Sequence, residues 1–381
     1  MSTQKFRIKT IPTPYVDANG KLSVRDSIYV EGVQFRSSFN GVLEIPDNVE
    51  KIAGDAFWGK TQIVKVIIPS SVTTIGLGAF GECSQLEEVQ FPKDGKPITI
   101  MSKAFCGCNK LQDLHVSQDT VIYGNLGICL NSITGLGKNY YTDGVALYDS
   151  SKRRLIWAYG KVSEYSIPKG VQIIGEWAFT NNGFIKKLTL PETISCIQNF
   201  AFYNCSSLEQ VVIPKSVNES GNECFKKCTG LKEAAFEAEN LELACGCFSC
   251  CSSLKKISFP KKCKTIPSGC FEYCSSLEIN GLSIPEGITT IGADAFRNCA
   301  FKSVDFPESL EIIEDHAFYE CEEIKSLILP DSVKKVGNGC FLSCNNLAEV
   351  SVKSRDIISE NNENVTRNTF NENVKIVVRS H

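Results

Sequence analysis

The stretch IPSSVTTIGLGAFGECSQLEEVQFP (residues 68–92) returns along the chain in nearly the same form. It matches IPKGVQIIGEWAFTNNGFIKKLTLP (residues 167–191) and IPEGITTIGADAFRNCAFKSVDFP (residues 284–307). The shared pattern is IPxxVxxIGxxAFxxCxxLxxVxIP, a unit of about 23 residues. Self-similarity at a fixed period of this length is typical of repeat proteins, in which each unit is one small supersecondary element.

The phenylalanine of the AF pair marks each unit. Neighbouring members are 22 to 25 residues apart, except for a gap of 74 after Phe105 and one of 29 before Phe370. The longer gap has room for three units, but its sequence lacks the phenylalanine pattern. The marker residues are Phe57, Phe80, Phe105, Phe179, Phe202, Phe225, Phe248, Phe271, Phe296, Phe318, Phe341 and Phe370.

Each unit contains two short extended pieces. The β-branched run Val66-Ile67-Ile68 precedes a proline, which predicts a short strand ended by a turn. The VxxIG segment from Val72 to Gly76 predicts a second one, and its glycine suits a bend. No segment keeps a helical apolar period, so we expect few helices. Since one unit cannot bury its own apolar face, the units must stack, with the phenylalanines as an internal column; the fold class is a β-rich solenoid.

The stretch LACGCFSCCSSL (residues 243–254) looks like a metal site, but the repeat explains most of it. Thirteen of the 19 cysteines occupy two repeat positions. Four directly precede the marker phenylalanine: Cys224, Cys247, Cys270 and Cys340. Nine follow it by three residues: Cys83, Cys108, Cys205, Cys228, Cys251, Cys274, Cys299, Cys321 and Cys344. At this second position we expect a buried thiol bonded to a backbone carbonyl. A metal site at Cys245 and Cys250, or disulfides between neighbouring units, are the alternatives.

Composition excludes several classes of function. With 40 basic and 43 acidic residues the net charge is −3, which argues against a nucleic-acid or anionic-membrane binder. No apolar run is long enough for a membrane span. Three scattered histidines and no catalytic constellation predict a protein that is not an enzyme. The GxGxxG match at Gly76 to Gly81 is part of the repeat turn, so no cofactor is expected. The N-terminus lacks the apolar segment of a signal peptide, which predicts a cytoplasmic chain.

The repeated pattern IPxxVxxIGxxAFxxCxxL resembles the BspA-like leucine-rich repeats of bacteria and of trichomonad-like protists. The resemblance covers residues 42–119 and 133–352, with a degenerate last unit to about 378. It implies a right-handed leucine-rich-repeat superhelix and the role of surface antigen or adhesin, which makes a cell-surface location an alternative. The expected divisions are an N-terminal cap (1–41), repeats (42–119), an irregular unit with a hairpin insert (120–166), repeats (167–352) and a last repeat with C-terminal cap (353–381).

Two surfaces are candidates for binding a protein partner. The first is the predicted concave face, where side chains on either side of a buried strand residue point outward. Its members are Lys65, Ile67, Glu88, Gln90, Asp113, His115, Lys187, Thr189, Gln210, Val212, Lys256 and Ser258. Lys65 should lie beside Glu88, and Glu233 beside Lys256. Such a face equally suits a solvated surface whose charges satisfy one another.

The second surface is the hairpin insert, which is rich in the residue types that dominate interfaces. Its members are Arg153, Arg154, Trp157 and Tyr159, together with Tyr140, Tyr141 and Tyr148. The alternative is that one face of the hairpin packs on the solenoid and buries Trp157. The sequence therefore predicts a non-catalytic, monomeric protein-interaction module, either an adhesin or an intracellular scaffold, with a cysteine-based metal or redox protein least favoured.

Overall fold

The computed structural model describes residues 4–16, 22–35, 39–94, 96–278, 280–353 and 369–379. The chain forms two compact units, Met1–Lys161 and Val162–His381. Both are built from short parallel strands stacked coil upon coil, so the predicted β-rich solenoid is confirmed. The elements of the described residues are all strands, and no helix in these ranges is long and apolar enough to cross a membrane.

In the first unit, two stacks of parallel strands alternate along the chain. One contains β4, β6, β8 and β10, and the other β3, β5 and β7, followed by the pair β9 and β11. The strands are β1 Gln4–Val16, β2 Leu22–Phe35, β3 Val42–Glu44, β4 Lys51–Ile52, β5 Lys65–Ile67, β6 Thr74–Ile75, β7 Glu88–Gln90, β8 Thr99–Met101, β9 Asp113–His115, β10 Val121–Tyr123, β11 Ser132–Thr134, β12 Tyr140–Thr142, β13 Ala146–Asp149 and β14 Arg154–Ala158.

The second unit repeats the arrangement. One stack holds β15, β17, β19, β21 and β22, and the other begins with β16, β18 and β20. The strands are β15 Glu164–Ser166, β16 Ile173–Ile174, β17 Lys187–Thr189, β18 Cys196–Ile197, β19 Gln210–Ile213, β20 Glu219–Ser220, β21 Glu233–Phe236, β22 Lys256–Ile257, β23 Thr265–Ile266, β24 Leu282–Ser283, β25 Thr290–Ile291, β26 Val304–Asp305, β27 Ile312–Ile313, β28 Ser326–Ile328, β29 Lys335–Val336, β30 Glu349–Val352 and β31 Lys375–Val378.

The marker phenylalanines form the predicted column in each unit. Phe57, Phe80 and Phe105 stack in the first unit with ring centroids 5.1 and 5.6 Å apart. In the second unit the stacked rings run from Phe179 to Phe370, with centroids 4.7 to 5.7 Å apart. The rings are buried because the parallel strands place the same residue of every coil in line.

The first unit contains a coil that the phenylalanine pattern did not reveal. In the regular coils the Phe80 N–H bonds to the carbonyl of Ala104, the residue before the next marker. The Phe105 N–H bonds instead to the carbonyl of Leu126, so Gly127 stands where a phenylalanine would be. Strands β10 and β11 of this coil pair in parallel with β8 and β9. Buried Leu126 and Ile128 supply apolar side chains in place of the ring.

Strands lie near both ends of the chain. Strands β1 and β2 form an antiparallel pair, and β2 pairs in parallel with β4 at the start of the first unit. Residues 17–21 and 36–38 of the predicted N-terminal cap (1–41) lie outside the described residues. At the other end, the apolar run VKIVV (residues 374–378) predicts a last strand, and the pairing of β31 with β30 confirms it. Residues 354–368 of the predicted last repeat are also outside the described residues, and the domain boundaries remain predictions.

Candidate protein-binding surfaces

Outward side chains of β5, β7 and β9 form the strand face of the first unit. Central residues Val66, Val89 and Leu114 are buried, and their neighbours point away from the core because side chains alternate along a strand. Lys65 and Ile67 are half-buried, whereas Glu88, Gln90, Asp113 and His115 are exposed. The register of β5 and β7 places Lys65 beside Glu88 and Ile67 beside Gln90.

Strand β9 turns its outward side chains to the coil that lacks a marker phenylalanine. The Ser132 hydroxyl donates a hydrogen bond to the Asp113 carboxylate over 2.7 Å. A ring nitrogen of His115 lies 2.9 Å from the Thr134 hydroxyl. Both predicted site residues therefore have a partner within the unit, although each remains exposed.

The strand face of the second unit is longer. Lys187, Gln210, Glu233 and Lys256 lie in register on four successive coils. Thr189 is exposed beside them, and Val212 is 49% exposed, which makes it a large apolar group open to a partner. The Ser258 hydroxyl accepts a hydrogen bond of 3.2 Å from the Phe236 N–H. The structure thus brings together, on one face, the six residues that the sequence assigned to this unit.

Both strand faces carry charges of both signs. The Lys65 ammonium lies 2.8 Å from the Glu88 carboxylate, and Lys256 lies 3.7 Å from Glu233, as predicted. On the residues flanking the face, Lys232 donates a 2.7 Å hydrogen bond to Glu209, which lowers the pKa of that carboxyl. Opposite charges on neighbouring strands attract each other, so these two pairs stabilise the faces. The surface suits a protein of mixed charge better than a polyanion.

The hairpin insert corrects part of the prediction. Trp157 and Tyr159 are buried, with ring centroids 5.4 Å apart, and belong to the core of the first unit. The alternation along β14 turns Leu155 and Trp157 inward, so neither Trp157 nor Tyr159 can reach a partner. Burial raises the pKa of the Tyr159 hydroxyl.

What remains at the surface of the insert is small. Arg153 is exposed and Arg154 is half-buried. Tyr141 is also exposed, and the Lys152 ammonium lies 3.7 Å from the centre of its ring, a contact that the sequence did not indicate. Tyr148 is buried and its ring packs on Tyr141 with centroids 5.9 Å apart. The insert therefore offers a cationic and aromatic edge, not a large aromatic surface.

Thiols that follow the marker phenylalanine by three residues make the predicted bond to a carbonyl. The Cys83 thiol lies 3.1 Å from the Phe57 carbonyl oxygen, and the Cys251 thiol is equally close to that of Phe225. The same bond to the marker phenylalanine of the preceding coil is made by Cys108, Cys205, Cys228, Cys274, Cys299, Cys321 and Cys344. We call these nine cysteines the thiol ladder.

Burial makes most of the thiol ladder unsuited to reactions that need a thiolate. It raises the pKa of the Cys83 and Cys344 thiols to about 12, because the core disfavours a charged thiolate. Nucleophiles and metal ligands act as thiolates, so these groups are unsuited to either role. In the part of the chain that the structure describes, no three His, Cys, Asp or Glu side chains converge to hold a metal ion.

Trp58 is an exposed aromatic residue that sequence reasoning did not select. It directly follows the marker Phe57, and its side chain is 47% exposed. The sequence does distinguish Trp58, because the residue that follows the marker phenylalanine in the other units is mostly small or polar. Its position next to a marker made it look like part of the repeat.

Comparison with known proteins places the chain among leucine-rich repeat proteins. A family model described as the BspA type leucine-rich repeat region matches residues 32–133, 156–278 and 275–378 in six copies. A search of curated protein sequences found no match.

Solved structures agree at the level of the fold. A leucine-rich repeat protein of Bacteroides ovatus is 22% identical with a TM-score of 0.59, covering 100% of this chain and 99% of its own. One of Eubacterium ventriosum is 18% identical with a TM-score of 0.58, covering 90% and 95%. A leucine-rich cell surface protein of Faecalibacterium prausnitzii is 19% identical with a TM-score of 0.51, covering 97% and 93%. The repeats matched by the family model, with their stacked phenylalanines and paired strands, show that the chain belongs to the BspA-type leucine-rich repeat family.

Proposed function

We propose that this protein is a non-catalytic protein-interaction module that binds its partner on the strand face. The observation that carries the proposal is the in-register row Lys187, Gln210, Glu233 and Lys256 with exposed Val212 beside it. Exposed side chains on a rigid parallel stack keep fixed spacings, which reduces the entropy lost when a partner binds. The buried residues of the same coils repeat from unit to unit, so the outward positions are where recognition can vary.

Two finer functions follow from different observations. A surface adhesin is supported by family membership and by the fold shared with a bacterial cell surface protein. An intracellular scaffold is supported by the 19 cysteines, which all stand as free thiols, as is usual in a reducing compartment. In both cases we propose a protein partner, with no nucleic acid and no cofactor, and a monomeric chain.

The test is a photo-crosslinking comparison in the full-length protein. A photoreactive phenylalanine analogue replaces Thr189 or Val212 on the strand face, and Tyr273, an exposed residue of a turn, serves as the matched control. Extracts of cell-surface and cytosolic proteins are irradiated in parallel and the adducts are identified by mass spectrometry. We expect specific adducts from Thr189 and Val212 and none from Tyr273.

The partner identified in this way is then used to measure affinity. We expect Val212→Asp to weaken binding about tenfold or more, because it places a charge in the centre of the contact. Tyr273→Ala should leave the dissociation constant unchanged. Adducts that form only from Tyr273, or full affinity in Val212→Asp, would remove the strand face from the proposal. The extract that supplies the partner decides between adhesin and scaffold.

A further inference from the structure

A cleft of about 570 Å³ lies at the start of the first unit, between the β1–β2 pair and the first repeat turn. The paired strands contribute Lys5, Arg7 and Glu31, and the turn contributes Asp55, Trp58 and Lys60. The volume is in the range of sites that bind small molecules or one segment of a larger ligand. The strand face described above does not include these residues.

The next coil holds the Trp58 side chain in place through two glycines. The benzene edge of the indole lies over Gly81, where an added Cβ would overlap the ring atoms Cε3 and Cζ3. At Gly78, whose φ is +61°, an added Cβ would be 3.2 Å from Cζ3. In the coil of Phe105 the residues equivalent to Gly78 and Gly81 are Lys103 and Cys106. The coil of Phe80 therefore lacks side chains at the two positions where the indole packs. The ring is therefore held from one side and still borders the cleft with half its surface exposed.

Backbone carbonyls of the first turn also face this end of the unit. In the next coil, the carbonyls of Ala79 and Gly81 each accept a 2.8 Å hydrogen bond from the Phe57 and Gly59 N–H groups. The equivalent oxygens of the first coil belong to Ala56 and Trp58, which line the cleft. No backbone N–H of the described residues donates to either oxygen. Such acceptors favour a ligand that carries hydrogen-bond donors.

The charges around the cleft have both signs. Lys5, Arg7 and Lys60 are cationic, and Glu31 and Asp55 are anionic. Arg7 is already engaged, because its guanidinium donates a 3.0 Å bond to the Glu31 carbonyl and lies 3.8 Å from the Glu31 carboxylate. A cationic or an anionic ligand would meet a like charge here. A neutral ligand whose hydroxyls both donate and accept would use both kinds of group.

We infer that this cleft binds a saccharide. The apolar face of a sugar ring packs against the exposed part of the Trp58 indole, as apolar groups do on aromatic rings. Sugar hydroxyls donate to the carbonyl of Trp58 and to the Asp55 carboxylate. The ammonium groups of Lys5 and Lys60 donate to the sugar oxygens. This site shares no residue with the proposed partner surface, so the test of one does not depend on the other.

The experiment measures saturation-transfer NMR signals and tryptophan fluorescence of the full-length protein with four probes. They are maltotriose, cellotriose, xylotriose and triacetylchitotriose. We expect at least one to bind, with a dissociation constant that rises about tenfold or more in Trp58→Ala, because truncating an aromatic anchor removes most of its contact. Gly81→Ala should also weaken binding, since it displaces the indole without touching the ligand. Trp177→Ala, a half-exposed tryptophan of the second unit, should bind as the parent does.

Thermal unfolding of each variant serves as the folding control, and Trp58→Phe replaces Trp58→Ala if the latter fails to fold. Absence of binding by all four trisaccharides would overturn the inference. Equal affinity in the parent, Trp58→Ala and Gly81→Ala would also overturn it.

Discussion

Phenylalanine is the residue that defines each coil, and Phe225 shows why. Its ring is buried and stacks on Phe202 and Phe248, with centroids 4.8 and 5.4 Å away and planes within 5° of parallel. A ring of this size fills the width of the coil, and its neighbours above and below are identical. Losing one ring leaves a void that two flat neighbours cannot close, because the strands fix their separation.

Phe225→Ala should therefore lower the free energy of unfolding by about 3–5 kcal/mol, as for other buried phenylalanines. Denaturant unfolding followed by circular dichroism measures the loss. Phe184→Ala is the matched control, because Phe184 is 45% exposed and stands outside the column. Its effect should stay within about 0.5 kcal/mol. A loss below about 1 kcal/mol in Phe225→Ala would contradict its role as a stacked core residue.

At the scale of the element, the thiol ladder links each coil to the one before it. The Phe57 carbonyl accepts both the Lys60 N–H and the Cys83 thiol, so the turn and the next coil share one acceptor. An asparagine or serine in this position would bring a more polar group into the core. Cysteine supplies a weak donor on a small apolar side chain, which suits a buried turn.

The ladder makes stability depend on pH in the alkaline range. Burial raises the pKa of the thiols of Cys83, Cys108, Cys251, Cys274, Cys299, Cys321 and Cys344 above the ordinary value of 9.0. A group with a raised pKa stabilises the fold fully below its unfolded pKa, and this contribution is lost as the pH rises toward the folded value. Above about pH 9, each such thiol lowers the free energy of unfolding by about 1.4 kcal/mol for every further pH unit.

We expect the urea midpoint to be steady from pH 7 to 8.5 and to fall steeply between about pH 9 and 10, because unfolded cysteines ionise there. Cys251→Ala removes one buried thiol and should make the fall shallower. Cys245→Ala, which removes an exposed thiol, should leave the slope unchanged. A midpoint that is constant to pH 10 would show that the ladder thiols are not buried as described.

For the whole molecule, the redox state of the cysteines decides between the two proposed locations. All 19 are free thiols, although the Cys224 and Cys247 sulfur atoms lie only 3.1 Å apart in the core. A disulfide needs a particular orientation of both side chains as well as proximity. The ladder cysteines instead point at carbonyl oxygens of the preceding coil.

We expect all the cysteines to be reduced in the native protein, and a thiol count on protein from its native source tests this. Rapid alkylation in denaturant without reductant, followed by intact mass measurement, should give 19 alkylated cysteines, the number of free thiols. That result favours the intracellular scaffold. A shortfall of two alkylations per disulfide would contradict the free-thiol state, and added sugar mass on Asn218 would indicate export and favour the adhesin.

The amino-acid pattern is enough to predict the repeat, the phenylalanine column, the role of the ladder cysteines and the outward strand residues. Each of these depends on a residue's place within a unit, and stacking brings the same place of neighbouring units together. Lys65 beside Glu88 and the Cys83 thiol on the Phe57 carbonyl follow from the period alone. The family resemblance rests on the same pattern, and the match to the family model confirms it.

Where the repeat is broken, the arrangement of residues follows from packing in the folded chain and not from the pattern. Gly127 stands at a marker position, and the hairpin insert buries Trp157 and Tyr159, because backbone pairing continues without the usual sequence. The cleft beside Trp58 depends on Gly81 in the next coil and on the β1–β2 pair, which precedes the first repeat. Such contacts join parts of the chain that share no period, so no pattern in the sequence specifies them. Their geometry is set by packing, since the side chains that fit together are chosen by the space that the folded chain leaves.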